Sequence, residues 1–147
     1  MAKAIIVYET TSGYTEKMAK LIEKGLKEAG VEVVVKKALD AKVDDLKDVD
    51  AVVLGCPTYY NDLISSIKWF LVEMRKADLK GKVGAAFGAY GWSGESIDLM
   101  RVPMKHIFEM DMVKLGLKMK MTQLITGEGE KECKEFGRKI ADKIKKE

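Results

Sequence analysis

Four hydroxyls fall within six residues near the start of the chain: Thr10, Thr11, Ser12 and Thr15, with Gly13 among them and no Lys or Arg. They follow the apolar run "KAIIVYE" (3–9) and lead into a stretch with helical spacing. A helix N-terminus carries unpaired N–H groups and a partial positive charge, so it is a ready anion site. Gly13 lets the backbone turn close to a ligand, and the hydroxyls of Thr10, Ser12 and Thr15 can add hydrogen bonds. One hydroxyl would suffice for an N-cap; four point to a phosphate monoester, which needs many donors and little bulk. The loop has neither G-x-x-x-x-G-K-[ST] nor G-x-G-x-x-G, so it is not a nucleoside-triphosphate loop or the usual dinucleotide fingerprint. Without a Lys, it suits a phosphate held passively rather than transferred.

Two other stretches look unlike core. "PTYYND" (57–62) holds Pro57, Thr58, Tyr59, Tyr60 and Asn61; "AYGWSGE" (89–95) holds Ala89, Tyr90, Gly91, Trp92 and Gly94. A flat amphipathic ring wants aromatic or apolar faces for stacking and backbone groups at its polar edge. Tyr59, Tyr60 and Trp92 are the candidate faces. Pro57, Thr58 and Asn61 can set the loop and reach a ring or its chain, and Gly91 and Gly94 allow a close backbone approach. Tyr14 lies in the first loop, and Tyr90 reads by default as ordinary packing.

The elements that must position these loops alternate along the chain. Strand-like runs lie at 3–9, 31–37, 50–57, 81–91 and 111–121. Helical spacing marks 15–29, 62–76, 94–106 and 129–147, and 43–49 reads as a short helix. Gly30 stands as a helix stop. Strands alternating with helices predict a doubly wound parallel α/β sheet of five strands, order 2-1-3-4-5, with helices on both faces and one domain over 1–147. In such a sheet the ligand sits beyond the C-terminal strand ends near the switch in strand order, which selects the three loops above.

Composition narrows the function. The 147 residues are 47% hydrophobic and 33% charged, as in a globular protein. A net charge of +3, with Lys interspersed among Asp and Glu, gives no case for nucleic acid. The apolar N-terminal run is too short for a membrane helix, and no signal-peptide pattern follows it. The two cysteines, Cys56 and Cys133, have no metal-type spacing and suit a reducing cytoplasm; both read as small buried hydrophobes. His106 is the only histidine and reads as structural or surface, so no Ser-His-Asp set and no metal cluster is expected. Asn61 is the only Asn and Gln123 the only Gln, a composition that leans towards a thermophile.

Thr10-x-Ser12-Gly13-x-Thr15 is similar to the flavodoxin phosphate loop. "GCPTYYND" followed by "KGKVGAAFGAYGWSGES" resembles the flavodoxin-like domain of flavodiiron proteins, the A-type flavoproteins. The resemblance covers essentially the whole chain. It implies non-covalently bound FMN, with its phosphate in loop one and its ring between loops two and three. It implies electron transfer to or from a protein partner, which could be a separate diiron or iron–sulfur protein. The set expected to hold the cofactor is Thr10, Thr11, Ser12, Gly13, Tyr14, Thr15, Pro57, Thr58, Tyr59, Tyr60, Asn61, Ala89, Tyr90, Gly91, Trp92 and Gly94.

The chain departs from these families in three ways. With one histidine it carries none of the ligands of a diiron domain. Flavodoxins are markedly acidic and this chain is not, so its partner surface should differ. Loop two has no glycine where many flavodoxins keep one beside the flavin, so a left-handed backbone there carries a side-chain penalty. An electron carrier is the first reading. An FMN-dependent NAD(P)H or quinone reductase is the second, and a non-redox module on the same fold is the third. A dimer is compatible with all three.

Overall fold

A computed structural model describes residues 2–58, 61–91 and 94–146. Six strands build one parallel sheet: β1 (Lys3–Tyr8), β2 (Glu32–Lys37), β3 (Ala51–Gly55), β4 (Val83–Tyr90), β5 (Asp111–Met112) and β6 (Leu117–Lys120). Their order is β2-β1-β3-β4, with β5 and β6 both on the free edge of β4. Five positions are therefore filled in the expected order 2-1-3-4-5, the last one by two short strands. Register is continuous across the centre: Ile6 lies beside Val35 and Val53, and Val53 beside Ala85.

The apolar runs follow from this placement. β3 is buried along its whole length and β4 up to its last residue, because helices cover both faces. On one face lie α1 (Tyr14–Glu28) and α5 (Glu130–Lys145), packed through Met18, Ile22, Leu26, Cys133, Phe136 and Ile140. On the other lie α2 (Ser65–Met74) and α3 (Ser96–His106), packed through Ile67, Phe70, Met74, Met100 and Met104. Gly30 stops α1 at φ 85°, and its N–H reaches the Lys27 carbonyl.

Three readings need correction. The strand predicted over 111–121 is broken: Val113 still donates to the Gly84 carbonyl, but 113–116 leave the ladder in a bow, bent at 114 and 115. Arg101 Nη2 holds the bow by donating to the Lys114 carbonyl at 2.8 Å. Residues 43–49 form only one 3₁₀ turn, Val43–Leu46, closed where the Lys42 N–H meets Asp45 Oδ2. A short helix that periodicity did not mark, α4 (Met121–Thr126), follows β6 and ends at Gly127. Among the described residues, no helix is long and apolar enough to cross a membrane.

Candidate functional site

β1 feeds loop one. Gly13 caps α1 with φ 86°, a left-handed turn that L side chains rarely adopt, and a Cβ there would meet nothing within 4 Å. The loop is therefore open on its outer side. Gly13 N–H donates to Thr10 Oγ1 at 2.9 Å, which closes the turn. Thr10 N–H donates to Glu9 Oε1, and Glu9 Oε2 accepts from Ser66 Oγ on α2, so loop one is tied to the helix after loop two. Among the described residues, the N–H groups of Thr11, Ser12, Tyr14 and Thr15 find no acceptor. They form the donor set of an anion site at a helix start.

The hydroxyls divide the work. Thr15 is buried, and its Oγ1 accepts the Ala89 N–H at 3.4 Å, joining loop one to the end of β4. Thr10 and Thr15 both use their oxygens as acceptors, so each keeps its hydroxyl proton to donate. Ser12 is exposed. Among the described residues, no side chain caps α1. Lys17, the nearest base after the loop, turns away to the Leu124 carbonyl of α4 at 2.7 Å. Below the loop, Tyr8 O–H donates to Glu16 Oε2 at 3.0 Å. Burial, and then that carboxylate, pushes the Tyr8 phenol up to about 12, while the same bond holds the Glu16 carboxyl low.

Loops two and three are clamped to each other. Ser96, at the start of α3, donates its hydroxyl to the Cys56 carbonyl at 2.8 Å, and its N–H to Thr58 Oγ1 at 3.0 Å. Gly88 makes the clamp possible, since a Cβ there would lie 2.1 Å from the Cys56 carbonyl oxygen. Cys56 is fully buried; its Sγ accepts from Ile64 N–H, and burial pushes its thiol up to about 12. Cys133 is equally buried and inert, beside Met119 in the core. Both cysteines are the small hydrophobes that the sequence predicts.

The three loops meet around a cleft of about 230 Å³. It is lined by Thr10, Thr11, Ser12, Tyr14 and Thr15, by Pro57 and Thr58, and by Ala89, Tyr90 and Gly91. Gly13 stands at its edge as the cap of α1. Asn61 and Gly94 do not line it: Asn61 turns loop two at φ 61°, and Gly94 backs onto the Lys118 side chain. Asn is the non-glycine residue best suited to that left-handed turn, so the loop reaches this backbone without glycine. Tyr59, Tyr60 and Trp92 lie outside the described residues. Tyr90, read as packing, lines the cleft. Met121 of α4 lines it as well and was not anticipated; the only trace in the sequence was the apolar spacing of "MTQLIT" ahead of Gly127.

His106 is exposed at the end of α3. Among the described residues no group of His, Cys, Asp and Glu could hold a metal ion. A wider groove of about 560 Å³ under the bow of the fifth strand gathers none of the predicted residues.

Comparison with known proteins agrees with this geometry. The flavodoxin family model matches residues 6–135. A flavodoxin from Clostridium beijerinckii is 35% identical, over 93% of this chain and 98% of its own length. A solved flavodoxin from the domain Archaea superposes with a TM-score of 0.91 at 37% identity, covering 97% of this chain and 99% of that one. A nitric oxide reductase of Moorella thermoacetica is 35% identical over 97% of this chain. The chain spans just over a third, 36%, of the length of the first curated relatives it matches, that reductase among them. The chain belongs to the flavodoxin family, whose members transfer electrons to protein partners on bound FMN, and its cofactor is FMN. Flavodiiron proteins are related to it through the same fold.

Proposed function

We propose that the cleft at the ends of β1, β3 and β4 holds FMN non-covalently, and that the chain works as an electron carrier for a redox protein. The observation that best supports this is the meeting of three loops round one cleft, with an open, donor-rich helix start at one wall. FMN supplies a ring that takes up and releases electrons. The residues present fit it. Thr10, Ser12 and Thr15, with the free N–H groups around Gly13, would hold the phosphate. Thr11 and Tyr14 would flank it. Pro57, Thr58, Ala89, Tyr90 and Gly91 would take the ring and its chain, with Met121 excluding water beside them. From their places in loops two and three, Tyr59, Tyr60, Asn61, Trp92 and Gly94 complete the proposed set.

Residues 1–147 act in this reading as one FMN-binding domain, working in the cytoplasm. The partner is a redox protein, such as a separate diiron or iron–sulfur protein, with neither nucleic acid nor membrane involved. The net charge of +3 suits a partner less basic than those an acidic flavodoxin meets.

The test begins with the visible spectrum of the purified protein and chromatography of the released flavin. FMN is expected. The apoprotein should bind FMN about 100-fold more tightly than riboflavin, the worth of one or two charge-assisted hydrogen bonds to phosphate. NADH and NADPH alone should bleach the flavin only slowly. Equal affinity for riboflavin would overturn the phosphate site, and fast bleaching would turn the carrier into a reductase.

A further inference from the structure

The ladder between β3 and β4 stops at the floor of the cleft. Along it the Val83 N–H donates to the Asp50 carbonyl, and the Cys56 N–H to the Phe87 carbonyl. With Gly55 beside Phe87, the next rung would carry the Ala89 N–H to the Cys56 carbonyl. Among the described residues that rung is not made. The Ala89 N–H turns to Thr15 Oγ1 at 3.4 Å, and the Cys56 carbonyl accepts from Ser96 Oγ at 2.8 Å. Two buried hydroxyls, one from α1 and one from α3, stand where a single backbone bond would close the sheet.

Thr15 lines the cleft and Ser96 does not. What Ser96 holds is the entrance to loop two. The Cys56 carbonyl shares a peptide plane with the Pro57 nitrogen, so fixing the carbonyl sets the direction of Pro57. The Ser96 N–H, the first of α3 and without a partner inside the helix, donates to Thr58 Oγ1 at 3.0 Å. Pro57 and Thr58 both line the cleft. The Cys56 thiol closes the same stem from the core side: it donates to the Pro57 carbonyl and accepts the Ile64 N–H, each at 3.4 Å. Neither of these Ser96 bonds reaches loop one, so Ser96 acts on the wall opposite the phosphate-type loop.

We propose that Ser96 is a positioning residue for the flavin ring: it acts through Pro57 and Thr58 and has no part in holding the phosphate. This deepens the FMN reading and rests on it. Without the Ser96 hydroxyl, the buried Cys56 carbonyl is left to the Ala89 N–H, its partner by register, whose bond to Thr15 is long. The rung then closes, the peptide leading into Pro57 turns, and loop two shifts off the ring.

Titration of the apoprotein with FMN and, separately, with riboflavin tests this. Ser96→Ala should weaken both flavins alike, about tenfold, and leave their affinity ratio as in the wild type. The visible bands of the bound flavin should move with it, which a loss of fold stability alone would not bring about. Thr58→Val removes the acceptor of the Ser96 N–H at nearly equal volume and should give the same equal fall. Ser12→Ala, on the phosphate side, should weaken FMN alone. Circular dichroism confirms that each variant is folded. A Ser96→Ala protein that binds both flavins as the wild type does would overturn the proposal. So would one that loses affinity for FMN but not for riboflavin, since Ser96 would then act on the phosphate. A wild type that takes up neither flavin would overturn the FMN reading itself, a separate failure visible before any substitution is made.

Discussion

On one side of the sheet, α1 and α5 touch backbone to backbone at two glycines. A Cβ on Gly25 would lie 2.1 Å from the Lys134 carbonyl oxygen, and one on Gly137 would lie 2.4 Å from that of Ile22. On the other side, α2 and α3 each rest on the sheet through an apolar stripe and keep Trp69, Val72, Leu99 and Val102 outside. Both layers bury their inner faces completely, so the outward hydrophobics of the second layer add nothing to the core. Shape closes the first layer. The second holds its outer hydrophobic residues away from the core.

The largest effect should come from Gly137→Ala. A methyl in that contact must force α1 and α5 apart, and denaturant unfolding should show a loss of about 3 kcal/mol. The surviving folded protein should keep its FMN affinity, since the contact lies away from the cleft. A tolerated alanine would break the distinction between the layers. A middle effect is expected where loop one meets the end of β4. Thr15→Val removes the acceptor of the buried Ala89 N–H and should cost about 1–2 kcal/mol, with weaker FMN binding read in the same samples. Unchanged stability would show that loop one is held by its backbone alone. The smallest effect should be Glu28→Gln, which unmakes the exposed pair of Glu28 on α1 with Arg138 on α5 at 2.9 Å. Less than about 0.5 kcal/mol is expected; a larger loss in unfolding would mean that charge, and not only shape, closes this layer.

Much of this was legible in the residues. The runs at β1, β3 and β4 are buried on both faces, so their apolar continuity named them, and the helices α1 and α5 carry a full apolar stripe. The phosphate-type loop was readable because its hydroxyls and Gly13 act through local backbone geometry. Other features were not readable because they depend on contacts distant in sequence. The fifth strand breaks where Arg101, on another helix, captures the Lys114 carbonyl. Ser96 clamps loop two across 40 residues, and nothing in the spacing of "GESID" marks it. Met121 lines the cleft from α4, which Lys17 ties to α1 at Leu124, a contact 107 residues away in sequence. The turn at Asn61 shows a fourth limit: a missing glycine does not preclude a left-handed backbone when Asn is at hand.

The broken strand bears on how molecules of this kind stay apart. An edge strand is a template for another chain, because its outer N–H and C=O groups are unpaired. Here the edge beyond β4 is cut into pieces of two and four residues, with Lys114 at the break and Lys118 and Lys120 on the second piece. Neither piece is long or straight enough to start an intermolecular ladder. Crowding or heating therefore has no ready route to fibre-like stacking through this rim, and association is left to surfaces whose side chains can choose their partner.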